Sequence, residues 1–141
     1  MAKQSWGLLI AGLVLGASLQ GLRAADAPAA GRVFEIRTYH TFPGRLDALN
    51  KRFREHTLKM FEKHGMTNVA YFTPQDSPAR ESTLIYVISH PSRAAAAKHW
   101  EEFGNDPEWK KIAADSEADG GKIVEKVESI FVDATDYSPL H

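Results

Sequence analysis

The chain predicts an α+β domain of the ferredoxin-like β-α-β-β-α-β plan, a four-stranded antiparallel sheet with helices on one face. Three observations point to it. Alternating segments at 33–40 and 122–132 open and close the body as strands. Two more β-rich runs, 67–73 and 83–90, are joined by a polar, proline-bearing turn and can pair as a hairpin. Apolar residues at helical spacing fill the two remaining connections.

In the first strand, 33–40, Phe34, Ile36 and Thr38 form the set suited to packing against helices. Val33, Glu35, Arg37 and Tyr39 form the opposite set, a charged pair and a tyrosine. Phe42-Pro43-Gly44 breaks the strand. A helix follows to about His64, with Leu46, Leu49, Phe53, Met60 and Phe61 on its apolar stripe. Gly65 sits where a left-handed residue ends a helix. The second strand closes at Pro74, and 83–90 is the most apolar run of the body, hence a central strand. Ser92 is placed to cap a second helix, whose alanines at 94–97 have the best intrinsic propensity. Asp106-Pro107 restarts the helix with an Asp cap and a proline at its first position. Trp100, Phe103, Trp109 and Ile112 mark the buried sides. Gly120-Gly121 turns the chain into the last strand, with Ile123, Val127 and Phe131 along it. The tail 133–141 is expected to be irregular and to lie across a neighbour.

Of 141 residues, 43% are hydrophobic and 25% charged, the balance of a folded domain. Residues 1–24 have the three-part form of a cleavable signal peptide: Lys3, an apolar run over 6–19, then Leu22-Arg23-Ala24 with the cut after Ala24. The apolar run is short for a membrane span, which leaves an uncleaved anchor as the alternative. The expectation is an exported protein, periplasmic or secreted, without stable membrane insertion after cleavage. Residues 25–32 read as a flexible linker and 33–139 as the domain. The formal charge is −1; the leader removes Lys3 and Arg23 and no carboxylate, leaving −3. That balance gives no electrostatic footprint for nucleic acid. With no cysteine, thiol catalysis, disulfides and Cys-based metal sites are excluded.

Helices cover only one face of such a sheet. The other is expected to carry Tyr39, Tyr71 or Phe72, and Tyr86 or Val87, depending on register. A bare face of that kind is an association site. A homodimer that opposes two bare faces is the expected remedy, a dimeric α/β barrel with Glu35 and Arg37 near its partly polar interior.

Four motifs then resemble one family. They are Phe34-Glu35-Ile36-Arg37-Thr38-Tyr39 with Pro43-Gly44, and His56-Thr57-Leu58 with Glu62-Lys63-His64-Gly65-Met66. Trp100, Phe103 and Asp106-Pro107-Glu108-Trp109 follow, then Thr135-Asp136-Tyr137-Ser138-Pro139. In this order they resemble NIPSNAP domains over nearly the whole of 33–139. The resemblance implies a dimeric α/β-barrel fold, in a superfamily that also holds small monooxygenases and haem-dependent enzymes. It implies no settled catalytic mechanism.

Arg37, Tyr39, Glu35 and Tyr86 are the candidate ligand-binding residues. A buried charge needs a partner, and Glu35 or Glu128 would serve Arg37. Arg37 would hold an anionic or carbonyl ligand, with Tyr39 or Tyr86 as donor; the plainer reading is a salt bridge that fixes sheet or dimer geometry. No His-x-x-x-His pair occurs, and His56 and His64 lie about 12 Å apart along a helix, too far to share an ion. No metal and no cofactor are expected. A lone axial histidine for haem, His56 or His99, is the alternative. Trp100 and Trp109 read as core. No nucleophile–base pair, phosphate loop or paired-carboxylate signature is present. The functional readings are an exported, non-catalytic dimer that binds a small molecule or a protein partner, a cofactor-independent monooxygenase-like enzyme acting on a small organic substrate, and a haem-binding barrel.

Overall fold

The computed structural model describes residues 31–140. The expected leader, its cleavage point and nearly all of the linker lie outside the described residues. Four strands form one antiparallel sheet in the order β2-β3-β1-β4: β1 (Val33–Thr41), β2 (Thr67–Phe72), β3 (Thr83–His90) and β4 (Val124–Val132). The β-α-β-β-α-β order is therefore as the alternation and helical spacing predict. β1 runs between β3 and β4, so Arg37 lies opposite Tyr86 on one side and Ser129 on the other.

The first helical connection is one rod with a wide turn in its middle. α1 (Leu46–Arg52) passes through a π-helical turn, Phe53–Thr57, into α2 (Leu58–Lys63). A π turn adds a residue to the helical repeat. Here it accompanies the burial of Arg52, Phe53 and Thr57, and the Thr57 hydroxyl donates to the Arg52 carbonyl at 3.2 Å. Gly65 ends the rod at φ +78°, as a left-handed terminus requires. The second connection is α3 (Arg93–Asn105) and α4 (Pro107–Glu117). Ser92 Oγ accepts the Ala95 N–H at 3.0 Å, and Asp106 Oδ1 accepts the Glu108 N–H at 2.8 Å, so both expected caps form.

Packed rings fill the space between sheet and helices. Phe53 meets Tyr39, Phe61, Tyr71 and Tyr86 at centroid distances from 5.2 to 6.0 Å. Phe61 continues to Trp100 and Phe103, and Phe103 to Trp109. Such edge and tilted contacts add to the gain from burying the rings.

The strand faces are reversed relative to the sequence expectation. Glu35, Arg37 and Tyr39 point into the layer beneath the helices, together with Leu84, Tyr86 and Ile88 of β3. Phe34, Ile36 and Thr38 lie on the open face, opposite Ser89, Val87 and Ile85. The register also resolves the open alternatives: Tyr71 and Tyr86 turn inward, Phe72 and Val87 outward. A charged pair can lie inside when every charge has a partner, which alternation alone does not disclose. The expected chamber for Arg37 and Tyr39 on the bare face is thereby removed.

The tail is irregular, as expected, and lies against its own chain. Residues 133–140 fold beside their own sheet, where Asp133, Ala134, Thr135, Ser138 and Leu140 border a 300 Å³ cavity with Phe34, Ile36, Val87 and Val132. Phe34 is left only 4% exposed, whereas Ile130 (59%) and Phe72 (53%) stay open to solvent.

Candidate functional site

Position 35 of β1 places a carboxylate in the aromatic layer, and four donors converge on it. Arg37 Nη1 and Ser129 Oγ donate to Glu35 Oε1 at 2.7 and 2.6 Å. Trp100 Nε1 donates to Oε2 at 2.7 Å, and His90 Nε2 lies 3.2 Å from the same oxygen. Burial alone would raise the carboxyl pKa, but the hydrogen bonds from His90, Ser129, Trp100 and Arg37 outweigh it and hold Glu35 at about 2. The carboxylate is ionised at any ordinary pH.

Arg37 lies two residues along the same face. Its guanidinium sits 4.2 Å from the Trp100 ring centroid and 5.6 Å from that of Tyr39. Burial opposes its charge, but the Tyr39 and Tyr86 phenols and Glu35 more than compensate and raise its pKa. Its Nε is buried with no hydrogen-bond partner.

Arg52 approaches the same tyrosines from α1. It is 7% exposed, with Nη1 3.3 Å from Ser116 Oγ and 3.9 Å from Glu117. Burial lowers its pKa, opposed by Tyr39, Glu117 and Tyr86. Its Nε too has no partner. Between the two arginines stands Tyr86, fully buried, whose hydroxyl makes no hydrogen bond. Tyr39 is near enough to act on its charge. Burial pushes the Tyr86 phenol far up, so it stays a neutral donor. A buried hydroxyl without a partner costs about 1–3 kcal/mol. Arg37 Nε, Arg52 Nε and the Tyr86 hydroxyl are thus buried donors without an acceptor in one cluster of two cations and two phenols, an arrangement suited to an anion or a polarised carbonyl oxygen.

The cluster is reachable from two sides. On β4 the helix-side residues Val127 and Ser129, opposite Tyr39 and Arg37, are exposed because no helix covers that strand. Arg37 keeps 17% of its side chain exposed there. On the other side a groove of about 310 Å³ between α1 and α4 has Arg52 in its lining.

The structure brings all four predicted residues, Glu35, Arg37, Tyr39 and Tyr86, into one cluster, inside a single chain. Glu128 does not join them; it pairs with His40 at 3.1 Å. His56 is exposed beside Glu55. His99 faces His90, with Nδ1 to Nδ1 3.1 Å apart. Arg52, His90, Trp100 and Ser129 were not anticipated in this role. The even-numbered face of β3 could have flagged His90, since it continues the run Leu84, Tyr86, Ile88. Arg52 enters through the π turn, which leaves no mark in hydrophobic spacing. Among the described residues no group of three His, Asp or Glu side chains is placed to hold a metal ion.

Comparison with known proteins places this architecture. The chain is similar to a NIPSNAP family protein of unknown function from Agrobacterium tumefaciens, at 21% identity and a TM-score of 0.67, covering 79% of this chain and 96% of that one. It is similar to a NIPSNAP-like domain protein from Burkholderia xenovorans at 13% identity and a TM-score of 0.66, covering 78% and 90%. SnoaB, a cofactor-independent oxygenase from Streptomyces nogalater, shares the fold at 13% identity and a TM-score of 0.51, covering 78% and 99%. No curated protein matches the chain. The NIPSNAP family profile matches residues 34–139, from the start of β1 to the tail. The chain belongs to the NIPSNAP family.

Proposed function

We propose that this protein binds a small anionic or carbonyl-bearing organic molecule at Arg37, with the Tyr39 and Tyr86 hydroxyls as donors and Arg52 as a second cation. The observation that carries this reading is the Tyr86 hydroxyl, fully buried and unpartnered between two guanidinium groups. Glu35 holds Arg37 in place and balances its charge. The protein acts outside the cytoplasm after loss of residues 1–24, as a homodimer joined through the open sheet face. Ile130 and Phe72 support that face as the contact, being large, apolar and exposed.

Native mass spectrometry of the purified mature chain tests the reading directly. A small acidic or carbonyl compound should co-purify with the wild type and be missing from Arg37→Ala, with the circular dichroism spectrum retained. Arg37→Ala that unfolds, or that keeps the compound, would reduce Arg37 to a structural ion pair.

A second reading is an oxygenase that needs no cofactor, favoured by the fold shared with SnoaB. The same cations would stabilise a substrate oxyanion. Oxygen consumption when the co-purified compound is returned to the protein, without added metal or flavin, would separate catalysis from binding alone.

A further inference from the structure

His90 ends β3 on the helix side and is fully buried. Its Nε2 faces Glu35 Oε2 at 3.2 Å and its Nδ1 faces His99 Nδ1 at 3.1 Å. An ionised carboxylate only accepts hydrogen bonds, so His90 Nε2 carries a hydrogen. Between the two Nδ1 atoms there is room for one hydrogen and not two. In the neutral pair, His99 Nδ1–H donates to His90 Nδ1. A proton arriving at His99 Nε2 lets the Nδ1 hydrogen pass to His90, which becomes an imidazolium beside Glu35. The pair therefore stores one positive charge and never two.

The surroundings allow such a relay. His99, on α3, is half-buried, and its Nε2 lies against Gly65, where an added Cβ would come within 2.8 Å. Lys98 and Glu102 flank it on α3, and His64, bonded to Asp106, faces it from the end of α2. On β4 the Phe131 ring lies 6.3 Å from His90 with Arg93 of α3 stacked on it, and Ser129 is uncharged. Burial and His90 together lower the His99 pKa.

We propose that His90 and His99 are positioning residues that relay one proton from solvent to the Glu35–Arg37 pair, so that an anion binding at Arg37 draws in a proton. This rests on the reading of Arg37 as the ligand-binding group. With a neutral His90, Glu35 balances Arg37. With a charged His90, the carboxylate is shared between two cations and the cluster gains a net positive charge. Anion affinity then rises as pH falls through the titration of the pair, by at most about tenfold per pH unit for one proton taken up.

Two measurements on the mature chain test this. In 15N imidazole spectra from about pH 8 to about pH 5, His90 should be the Nε2–H tautomer and the pair should take up one proton in total. His90 in the other tautomer, or a full separate titration of each ring, would overturn the relay. Calorimetry with benzoate as the probe anion, in buffers of different ionisation enthalpy, should show proton uptake and tighter binding at the lower pH. His99→Gln, which can still donate to His90 but cannot ionise, should bind benzoate with an affinity independent of pH. Wild-type binding that is equal at both ends of the range would refute the coupling. If benzoate does not bind the wild type at all, the ligand reading fails for carboxylates, and the relay stands or falls on the imidazole titration alone.

Discussion

The two faces of this sheet solve the burial problem in opposite ways. The helix side encloses Glu35, Arg37 and His90 within a layer of packed aromatic rings, and these polar groups are coupled through one carboxylate. The open side carries Ile36, Val87, Ile130 and Val132 at one end and the ion-paired His40, Lys126 and Glu128 at the other, and is only partly covered by the tail. Buried charge lies on the helix side, and exposed large hydrocarbon on the open side. The contrast teaches that the inner face is specified by mutual satisfaction of polar groups, whereas the outer face leaves large apolar side chains exposed.

The comparison can be broken at several points. Phe53→Ala on the inner face removes the ring that meets four others and should cost about 3–5 kcal/mol in urea unfolding. Glu35→Ala strands Arg37, His90 and the Trp100 N–H together and should cost a similar 3–5 kcal/mol, because an unpaired buried charge is left behind. A cost below about 1 kcal/mol would mean that water satisfies these groups and that the inner face is not a closed network.

Acid titration sharpens the same point. The Glu35 pKa is depressed from 4.5 to about 2 in the folded chain, so its stabilisation is complete above pH 4.5 and lost as pH falls toward 2. The loss attributable to this group is about 3 kcal/mol, which Glu35→Gln should abolish from the pH dependence of unfolding. Tyr86→Phe deletes a hydroxyl without a partner and should raise stability by about 1 kcal/mol. The same change should weaken retention of the bound compound, a split between stability and binding that a purely structural tyrosine would not show. Ile130→Lys, on the outer face, should alter unfolding of the isolated chain by no more than about 0.5 kcal/mol. Under the proposed dimer its effect should appear in light scattering as a shift from dimer to monomer; a wild-type chain that is already monomeric, or a dimer mass unchanged by the substitution, would reject the open face as the contact.

Much of this arrangement is legible in the sequence. The strand runs, the Ser92 and Asp106-Pro107 caps and the left-handed Gly65 follow from local periodicity and local backbone chemistry, and each forms where expected. The grouping of Arg37, Tyr39 and Glu35 follows as well, since alternate residues of one strand must share a face. Tyr86 joins them because β3 pairs with β1 in the register that sets it opposite Arg37. Which face the helices cover does not follow. Charged side chains argue for the outside until their partners are known, and those partners come from positions 90, 100 and 129, on three other elements.

What the sequence determined by itself was the set of elements and the family, because turn residues, caps and periodicity act between near neighbours. Only the tertiary structure decided that Glu35 and Arg37 lie inside, that Arg52 reaches the same tyrosines, and that two histidines meet behind them. Those outcomes depend on whether a buried charge finds enough donors across long stretches of chain, a condition that no local pattern encodes.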